Sequence, residues 1–317
     1  MSNKRVYLIS GAKGFLGSCL LRRLINNNEE VHIILREKKN LWRIEDILDR
    51  VTPHISDLTD LGELQKIIYK IRPTVIYHLA TFGAYSYQDD PDKIIKTNIL
   101  GSWNLLKVTS QIDYELFVNT GTSSEYGFKE TPMKETDLLE PASYYAVTKC
   151  SQTLLCSYTA KRDKKPIVTL RPFSVYGPYE GAARLIPKLM RSLYLKQKIN
   201  LVSPEISHDQ IYVDDVVDAY LLIDKLKNYN GEIFNIGTGI QSTVKEVVET
   251  AVKVTGRTTD FRWGEMKQRA WDTKNWVADI SKAEKLLNWR PKIDLKKGLL
   301  LTWEWFQLNH HFYRDSC

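Results

Sequence analysis

Two short motifs carry residue types whose spacing suits a shared chemistry. The first is a glycine series, G-A-K-G-F-L-G, at residues 11–17. The second, S-Y-Y-A-V-T-K at residues 143–149, places a tyrosine and a lysine four positions apart. Glycines in such a turn are typical of dinucleotide binding, and a tyrosine beside a lysine can transfer protons. Together the motifs predict a redox enzyme.

The glycine series lies between a predicted strand and a predicted helix. Residues 4–10 form an apolar run with β-branched members, and apolar residues recur at helical spacing over 15–24. Gly11 can adopt the dihedral angles of the turn, Gly14 lets backbone approach a pyrophosphate, and Gly17 allows close helix–strand packing. This context favours nucleotide binding over a glycine-rich turn without a ligand.

The tyrosine and lysine of the second motif share one face of a helix. A tyrosine pKa near ~10 makes a poor acid or base at neutral pH, but a neighbouring ammonium favours the phenolate. Lys149 is therefore predicted to activate Tyr145. Upstream, a buried-strand pattern at 115–119 runs into a hydroxyl cluster at 120–127, where an open α/β sheet binds ligands. The alternatives are an ordinary amphipathic helix and a Ser/Thr-rich turn.

Strand and helix patterns alternate up to about residue 172. This predicts an α/β fold with a Rossmann-type, doubly wound parallel sheet and a smaller C-terminal substrate-binding part. The clearest predicted strands are 31–35, 74–77, 116–119 and 167–170.

Composition narrows the function classes. The 317 residues are 43% hydrophobic, which supplies a core, and the apolar stretches are too short and too charged to span a bilayer. With a strand pattern at the amino end instead of a signal peptide, we expect a cytoplasmic protein. Four cysteines lack metal-ligand or disulfide spacing, so no metal is predicted. The net charge is +7 and the lysines are scattered instead of clustered, which favours a dinucleotide and a nucleotide sugar over nucleic acid.

The cofactor is predicted from the end of the second strand. An acid there binds the adenosine ribose diol, whereas a cation accommodates a 2′-phosphate. Arg36 occupies the place, with Lys38 and Lys39 as possible helpers, so NADP(H) is favoured. Glu37 keeps NAD(H) open, since a shift of one residue would place an acid there.

Over nearly its whole length the chain resembles an extended short-chain dehydrogenase/reductase of the nucleotide-sugar epimerase, dehydratase and reductase type. The segments that carry the resemblance are 11–17, 56–58, 78–80, 97–98, 122–127, Tyr145 with Lys149, 171–178, 212–215, 234–237 and 278–279. It implies a catalytic triad of Thr122, Tyr145 and Lys149.

The resemblance also implies two sets of binding residues. Those for the cofactor are Gly11, Lys13, Gly14, Phe15, Leu16, Gly17, Arg36, Asp57, Leu58, Leu79, Ala80, Thr81, Asn98, Tyr145, Lys149 and Pro172. Those for the substrate are Tyr85, Thr122, Ser123, Ser124, Ser174, Arg184, Pro187, His208 and Arg269. It places the NAD(P)-binding Rossmann domain at 1–177 plus about 207–237, and the nucleotide-sugar domain at about 178–206 and 238–317.

Two substrate positions depart from the family pattern. Ser174 stands where many relatives have asparagine, and His208 stands where relatives often have arginine. Arg269 matches a late arginine that binds pyrophosphate, and a guanidinium suits that role. The nucleotide remains open among CDP, dTDP, GDP and UDP. Family members are commonly homodimers, and the helices after about Asp92 and Ser143 are expected to form the interface.

The residues after Thr122 bear on the reaction class. Family 4,6-dehydratases have Asp-Glu, or a Glu in the second place, whereas this chain has Ser123 and Ser124, which are poor acids and bases. Glu125 comes one place too late unless the loop adjusts. Hydride chemistry at a sugar carbon remains, and the preference for NADP favours an NADPH-dependent reductase of a nucleotide-linked 4-keto-6-deoxy sugar, acting in deoxysugar or surface polysaccharide biosynthesis. The alternatives are a nucleotide-sugar 4-epimerase that recycles NAD(P) internally and, less favoured, a noncatalytic NADP-binding protein.

Overall fold

The computed structural model describes residues 4–266 and 273–313. Its strands are β1 Val6–Ser10, β2 Glu30–Leu35, β3 Thr52–Ile55, β4 Val75–His78, β5 Leu116–Thr120, β6 Ile167–Pro172, β7 Ser174–Tyr176, β8 Ile199–Asn200, β9 Ser207–His208, β10 Gln210–Tyr212, β11 Ile233–Ile236, β12 Ser242–Thr243 and β13 Phe261–Arg262. Arg269 lies outside the described residues.

The helices are α1 Phe15–Asn26, α2 Leu61–Ile71, α3 Pro91–Ile95, α4 Gly101–Thr109, α5 Tyr144–Asp163, α6 Leu185–Leu195, α7 Val213–Tyr220, α8 Ile223–Leu226, α9 Val244–Thr255, α10 Ser281–Leu287 and α11 Leu295–Asn309. A π-helical turn, Lys96–Leu100, joins α3 to α4, and 3₁₀ turns occupy Glu45–Arg50, Ser123–Tyr126 and His310–Tyr313. Short polar side chains begin several helices, among them Asp60 at α2 and Ser143 at α5.

Seven strands form the main sheet, in the order β11-β6-β5-β4-β1-β2-β3. The strand β1 pairs in parallel with both β2 and β4. The chain therefore builds outward from β1 in one direction up to β3 and then returns to β4 on the other side. A crevice at the carboxyl ends of β1 and β4 follows from this reversal, and it is where such sheets bind ligands. The predicted Rossmann-type fold is confirmed.

The four clearest predicted strands are present in this sheet. At the carboxyl end β4, β5 and β6 extend one or two residues beyond the prediction, because strand pairing continues there, and β2 begins one residue earlier, at Glu30. One hydrogen bond of this pairing runs from the Gly121 amide to the Leu170 carbonyl, at 2.7 Å. The apolar runs in the sequence predicted that these strands exist. The residue at which each strand ends depended on hydrogen bonds with the neighbouring strand.

The chain divides into two compact units. Unit 1 comprises residues 1–125, 139–171 and 217–234, and unit 2 comprises 126–138, 172–216 and 235–317. Most of the main sheet belongs to unit 1, whereas unit 2 contains the two-stranded sheets β10-β7, β12-β9 and β13-β8. The predicted domain limits, and the ligand assigned to each domain, stay predictions. No helix among the described residues is both long and apolar enough to cross a membrane.

Candidate active site

The turn between β1 and α1 leaves no room for a side chain at Gly11 or at Gly17. Gly11 has a φ of +82°, and a Cβ there would lie 2.5 Å from the Ala80 backbone nitrogen. A Cβ on Gly17 would lie 2.3 Å from the Gly11 carbonyl oxygen. Among the described residues, no side chain caps α1, and its first turn contains no acidic residue. Helix N–H groups exposed in this way suit a pyrophosphate, so the turn fits a dinucleotide.

The segment after β4 closes the other side of this crevice. The Leu79 amide donates to the Ser10 carbonyl at 2.9 Å, which keeps the ends of β1 and β4 together. Asn98, in the π-helical turn, accepts from the Phe82 amide at 2.8 Å and from the Thr81 hydroxyl at 3.1 Å. Its amide also donates to the Phe82 carbonyl and the Thr148 hydroxyl, both at 2.9 Å. Asn98 thus links residues 81–82 to α5, and its role in supporting the site stays a prediction.

Arg36 follows β2 directly and lines a cavity of about 400 Å³. Asp57 lies in the same cavity and accepts from the amide and hydroxyl of Thr59. Leu58 is buried against Gly101. The cavity carries both signs of charge, and its lining is completed by Thr59, Asp90, Asp92, Lys93, Lys96 and Thr97. Three cations and three carboxylates thus surround the place predicted for the adenosine.

The helix α5 carries both residues of the tyrosine–lysine motif. The Ser143 hydroxyl caps it by accepting from the Ala146 amide at 3.1 Å. Lys149, one turn after Tyr145, is buried, and its Nζ donates to the Thr120 carbonyl and to Gln152 Oε1, each at 2.5 Å. Burial lowers the pKa of Lys149 to about 8, with Glu125 acting in the opposite direction. The contact with Thr120 brings the Tyr145 helix to the strand end that continues into Thr122.

Thr122 begins a tight loop after β5. Its Oγ1 lies 3.4 Å from Ser124 Oγ and accepts from the Ser124 amide at 3.3 Å. Its own amide donates to Glu125 Oε1 at 2.9 Å. Glu125 is fully buried, and its Oε2 receives Nε and Nη2 of Arg171 at 2.9 and 2.7 Å. Burial raises the pKa of Glu125, and the charge of Arg171 acts in the opposite direction. Glu125 thus lies in a buried ion pair and not beside Ser123 and Ser124 as a solvent-exposed acid.

Sequence reasoning missed several polar residues around the tyrosine–lysine motif. Gln152 donates to Asn119 Oδ1 at 2.7 Å, so the acceptor of Lys149 is itself held in place. The Tyr220 hydroxyl donates to Thr120 Oγ1 at 2.8 Å. The position of Gln152, three residues after Lys149 on the same helix, is the one signal that pointed to it. Nothing local indicated Tyr220, which lies 100 positions from its partner.

The remaining predicted substrate residues are distributed over both units. In unit 1, Tyr85 stacks on Tyr87 with ring centroids 5.3 Å apart. In unit 2, the Ser174 amide donates to the Asp209 carbonyl at 3.0 Å, which brings Ser174 next to His208. The ring of His208 lies edge-on to Trp276.

Two further predicted substrate residues lie at the start of α6 in unit 2. Arg184 precedes the helix with extended backbone, and Pro187 is buried in its first turn. Pro172, predicted to contact the cofactor, ends β6. The structure leaves all of these assignments as predictions.

A family model described as GDP-mannose 4,6 dehydratase matches residues 8–302. The match spans the glycine turn, the hydroxyl loop, the tyrosine–lysine helix and most of unit 2. The chain belongs to the extended short-chain dehydrogenase/reductase family of nucleotide-sugar epimerases and dehydratases.

Individual members of this extended family are similar over almost the full chain. An uncharacterized UDP-glucose epimerase of Bacillus subtilis is 30% identical, over 92% of this chain and 95% of the relative. The UDP-glucuronate 4-epimerase of Thermodesulfobacterium geofontis is 28% identical over 96% of each chain. The crystal structure of UDP-glucuronic acid 4-epimerase from Bacillus cereus, in complex with UDP-glucuronic acid and NAD, matches with a TM-score of 0.86 at 28% identity, covering 96% and 99%.

These extended-family relatives change the expectation about the reaction. The expected 4-keto-6-deoxy sugar reductase finds no support among them, and the alternative, a 4-epimerase, is the better supported of the two. The reductase expectation rested on Arg36, and one residue near the adenosine does not decide what happens at the sugar. The structural relative is in complex with NAD, whereas Arg36 favoured NADP(H) for this chain.

Proposed function

We propose that the protein is a nucleotide-sugar 4-epimerase that recycles its nicotinamide cofactor within each turnover. The observation that carries the proposal is the contact of Lys149 Nζ with the Thr120 carbonyl, which joins the tyrosine–lysine helix to the strand end bearing Thr122. The similarity to UDP-glucose and UDP-glucuronate 4-epimerases supports the same reaction. The buried pairing of Glu125 argues against 4,6-dehydration, despite the description of the matching family model.

In this proposal, the residues of unit 1 move and hold protons. Tyr145 takes the proton of the sugar 4-hydroxyl as the C4–H bond breaks, and returns it after the sugar has turned its other face. A nicotinamide cofactor, which the glycine turn at residues 11–17 would hold, would supply the hydride-transfer chemistry that the side chains lack. Lys149 stabilises the Tyr145 phenolate electrostatically, and the Thr122 hydroxyl hydrogen-bonds the sugar oxygen. The proton and the hydride removed from the sugar are both returned to it, so one turnover consumes no oxidant.

For the cofactor we propose NADP(H), with NAD(H) as the alternative. Arg36 stands at the end of β2 where an acid would select the ribose diol, and Lys93 and Lys96 line the same cavity. Asp57, Asp90 and Asp92 in that cavity favour NAD(H), as does the NAD bound by the structural relative. An NADPH-dependent 4-ketoreductase remains the second candidate function, because Arg36 favours the cofactor that reductases use.

The test is turnover with defined nucleotide sugars. The purified protein is incubated with UDP-glucose or UDP-glucuronate carrying deuterium at C4, with NAD⁺ and NADP⁺ supplied separately, and products are identified by NMR. We expect the 4-epimer with deuterium retained at C4, since the hydride never leaves the site. Tyr145→Phe should lose at least ~10³-fold in kcat yet still bind cofactor, as a general acid–base group contributes about 10²–10⁴-fold.

A separate arm distinguishes the second candidate. Stoichiometric NADPH oxidation with 4-keto-6-deoxy sugar nucleotides of the four bases, together with no epimer from any UDP sugar, would replace the epimerase by the reductase. Unchanged turnover in Tyr145→Phe would refute the roles given to the motif residues in either reaction.

We also propose that the protein acts as a homodimer. The outer face of α5 exposes apolar side chains at helical spacing, with Leu154 60% and Tyr158 62% exposed. In the same unit, the segment from α3 to α4 exposes Ile95, Leu100 and Trp103. Apolar surface on two packed helices suits a symmetric contact with a second copy.

A further inference from the structure

A buried ion pair lies behind the loop that carries Thr122. Glu125 is 0% exposed and Arg171 is 1% exposed. Two guanidinium nitrogens of Arg171 contact the same oxygen, Glu125 Oε2, at 2.7 and 2.9 Å. Burying two charges is costly even when they meet, so such a pair is weak evidence for stability by itself. The contacts of this pair indicate a role other than a contribution to stability.

The second oxygen of Glu125 contacts the catalytic loop. Its Oε1 accepts from the Thr122 amide at 2.9 Å and from the Thr153 hydroxyl at 3.1 Å. One carboxylate thereby connects β6, through Arg171, with α5, through Thr153, and with the loop after β5. The surroundings are tight, since a Cβ on Gly121 would lie 2.7 Å from this oxygen and 2.8 Å from Arg171 Cγ. Gly121, next to Thr122, therefore has no room for a side chain between the loop and the ion pair.

The same carboxylate acts electrostatically on Lys149. Burial lowers the pKa of Lys149, and the negative charge of Glu125 is the largest influence in the opposite direction. Glu125 therefore helps Lys149 to keep its proton. This effect on the pKa of Lys149 depends on the negative charge of Glu125. The hydrogen bond to the Thr122 amide depends instead on the position of one carboxylate oxygen.

We propose that Glu125 is a positioning residue of the active site: held by Arg171, its carboxylate fixes the Thr122 backbone and so places the hydroxyl that meets the sugar oxygen. The inference rests on the proposed function for its catalytic consequence. The placement of the loop can be measured without turnover.

The test compares two double variants. Removing Glu125 alone would leave the Arg171 guanidinium buried without the carboxylate it contacts, and the protein could fail to fold. Glu125→Leu/Arg171→Met removes both charges and the acceptor for the Thr122 amide. Glu125→Gln/Arg171→Met also removes both charges but keeps an oxygen at the place of that acceptor. Glu115→Gln is the control, since it breaks a pair with Arg5 at the opposite end of β5.

Hydrogen exchange of residues 120–124 and steady-state kinetics are measured for each variant. With leucine we expect at least ~10-fold faster exchange at these amides and kcat reduced about 10–100-fold, with substrate KM within about 2-fold, because a small misplacement near the reacting atoms is costly. Glutamine should restore most of the exchange protection and kcat. Both variants should move the alkaline limb of kcat/KM to lower pH, and Glu115→Gln should leave all of these quantities as in the wild type.

The outcomes separate the two hypotheses. Wild-type exchange in the leucine variant, or equal losses of kcat in the leucine and glutamine variants, would overturn the positioning role. If the wild-type protein epimerises no nucleotide sugar, the proposed function fails, and exchange alone decides on Glu125. Faster exchange with leucine and protection with glutamine would then support the anchoring of the loop.

Discussion

Lys149 illustrates how a single charged residue can be kept inside this fold. Its ammonium lies away from water, and two oxygens, from Thr120 and Gln152, replace part of its hydration. These contacts do not fully compensate for burial, so the pKa falls to about 8 from an ordinary value of 10.5. The residue is charged at neutral pH but close to losing its proton. A lysine so poised supports the Tyr145 phenolate only while it remains protonated.

The first prediction concerns this titration. Because the pKa of Lys149 is lowered, its charge is present below about pH 8 and is lost as the pH rises through that value. We expect kcat/KM, which reports the free enzyme, to fall above about pH 8. In Gln152→Glu a carboxylate beside Nζ should favour the ammonium and move this limb upward by at least ~1 pH unit.

Gln111→Glu is the matched control for that prediction. It adds the same charge at an exposed position after α4 and should leave the alkaline limb unchanged. An equal shift in both variants would mean that net charge, and not Lys149, sets the limb.

At the scale of elements, His78 joins the end of β4 to β1 and to α4. Ser102 Oγ donates to the Asn98 carbonyl at 2.6 Å, so it must accept from His78 Nε2, which is 2.8 Å away. The Nδ1 atom is then free of a proton and accepts from Ser10 Oγ at 2.6 Å. Burial, followed by the charge of Lys149, lowers the pKa of His78 to about 3. The crevice between β1 and β4 is therefore supported by a neutral imidazole.

The second prediction follows from this neutral state. In the unfolded chain His78 binds a proton below about pH 6.5, whereas the folded chain resists it down to about pH 3, so stability is lost as the pH falls between these values. We expect the free energy of unfolding of the wild type, relative to His78→Asn, to shrink by about 1.4 kcal/mol per pH unit below the upper value. Urea unfolding at several pH values measures this difference.

His311→Asn is the control for the loss of a histidine. His311 is exposed, so its replacement should keep the wild-type dependence of stability on pH. A gap between wild type and His78→Asn that stays constant from neutral to acid would contradict the neutral buried imidazole.

At the scale of the whole molecule, the exposed apolar side chains of α5 bear on assembly. Tyr144, Val147, Leu154 and Tyr158 recur every three to seven residues, and each is 45% exposed or more. Leaving this surface in water is unfavourable, whereas a second copy would cover it. Because a two-fold axis presents every residue of such a face twice, one substitution acts on the contact from both sides.

The third prediction tests the proposed dimer. Leu154→Lys should weaken self-association by about 100-fold in Kd, from roughly 1.4 kcal/mol lost on each of two subunits. Leu308→Lys, a substitution of an 80% exposed leucine on α11, is the matched control and should not change it. Analytical ultracentrifugation over a concentration series measures both, and a wild-type protein that is monomeric throughout would refute the dimer.

The sequence by itself determined the fold class, the glycine turn and the placement of Tyr145 and Lys149 on one helix face. These features are local, since apolar periodicity, turn glycines and a four-residue spacing act between near neighbours. Only the tertiary structure decided what Lys149 and Glu125 do. The acceptor of Lys149 in β5 lies 29 positions away, and Arg171 lies 46 positions from Glu125. From the loop sequence alone, Glu125 could be taken for a catalytic acid. Its pairing with Arg171 on β6 depends on burial and on contacts between distant parts of the chain, which local sequence patterns do not contain.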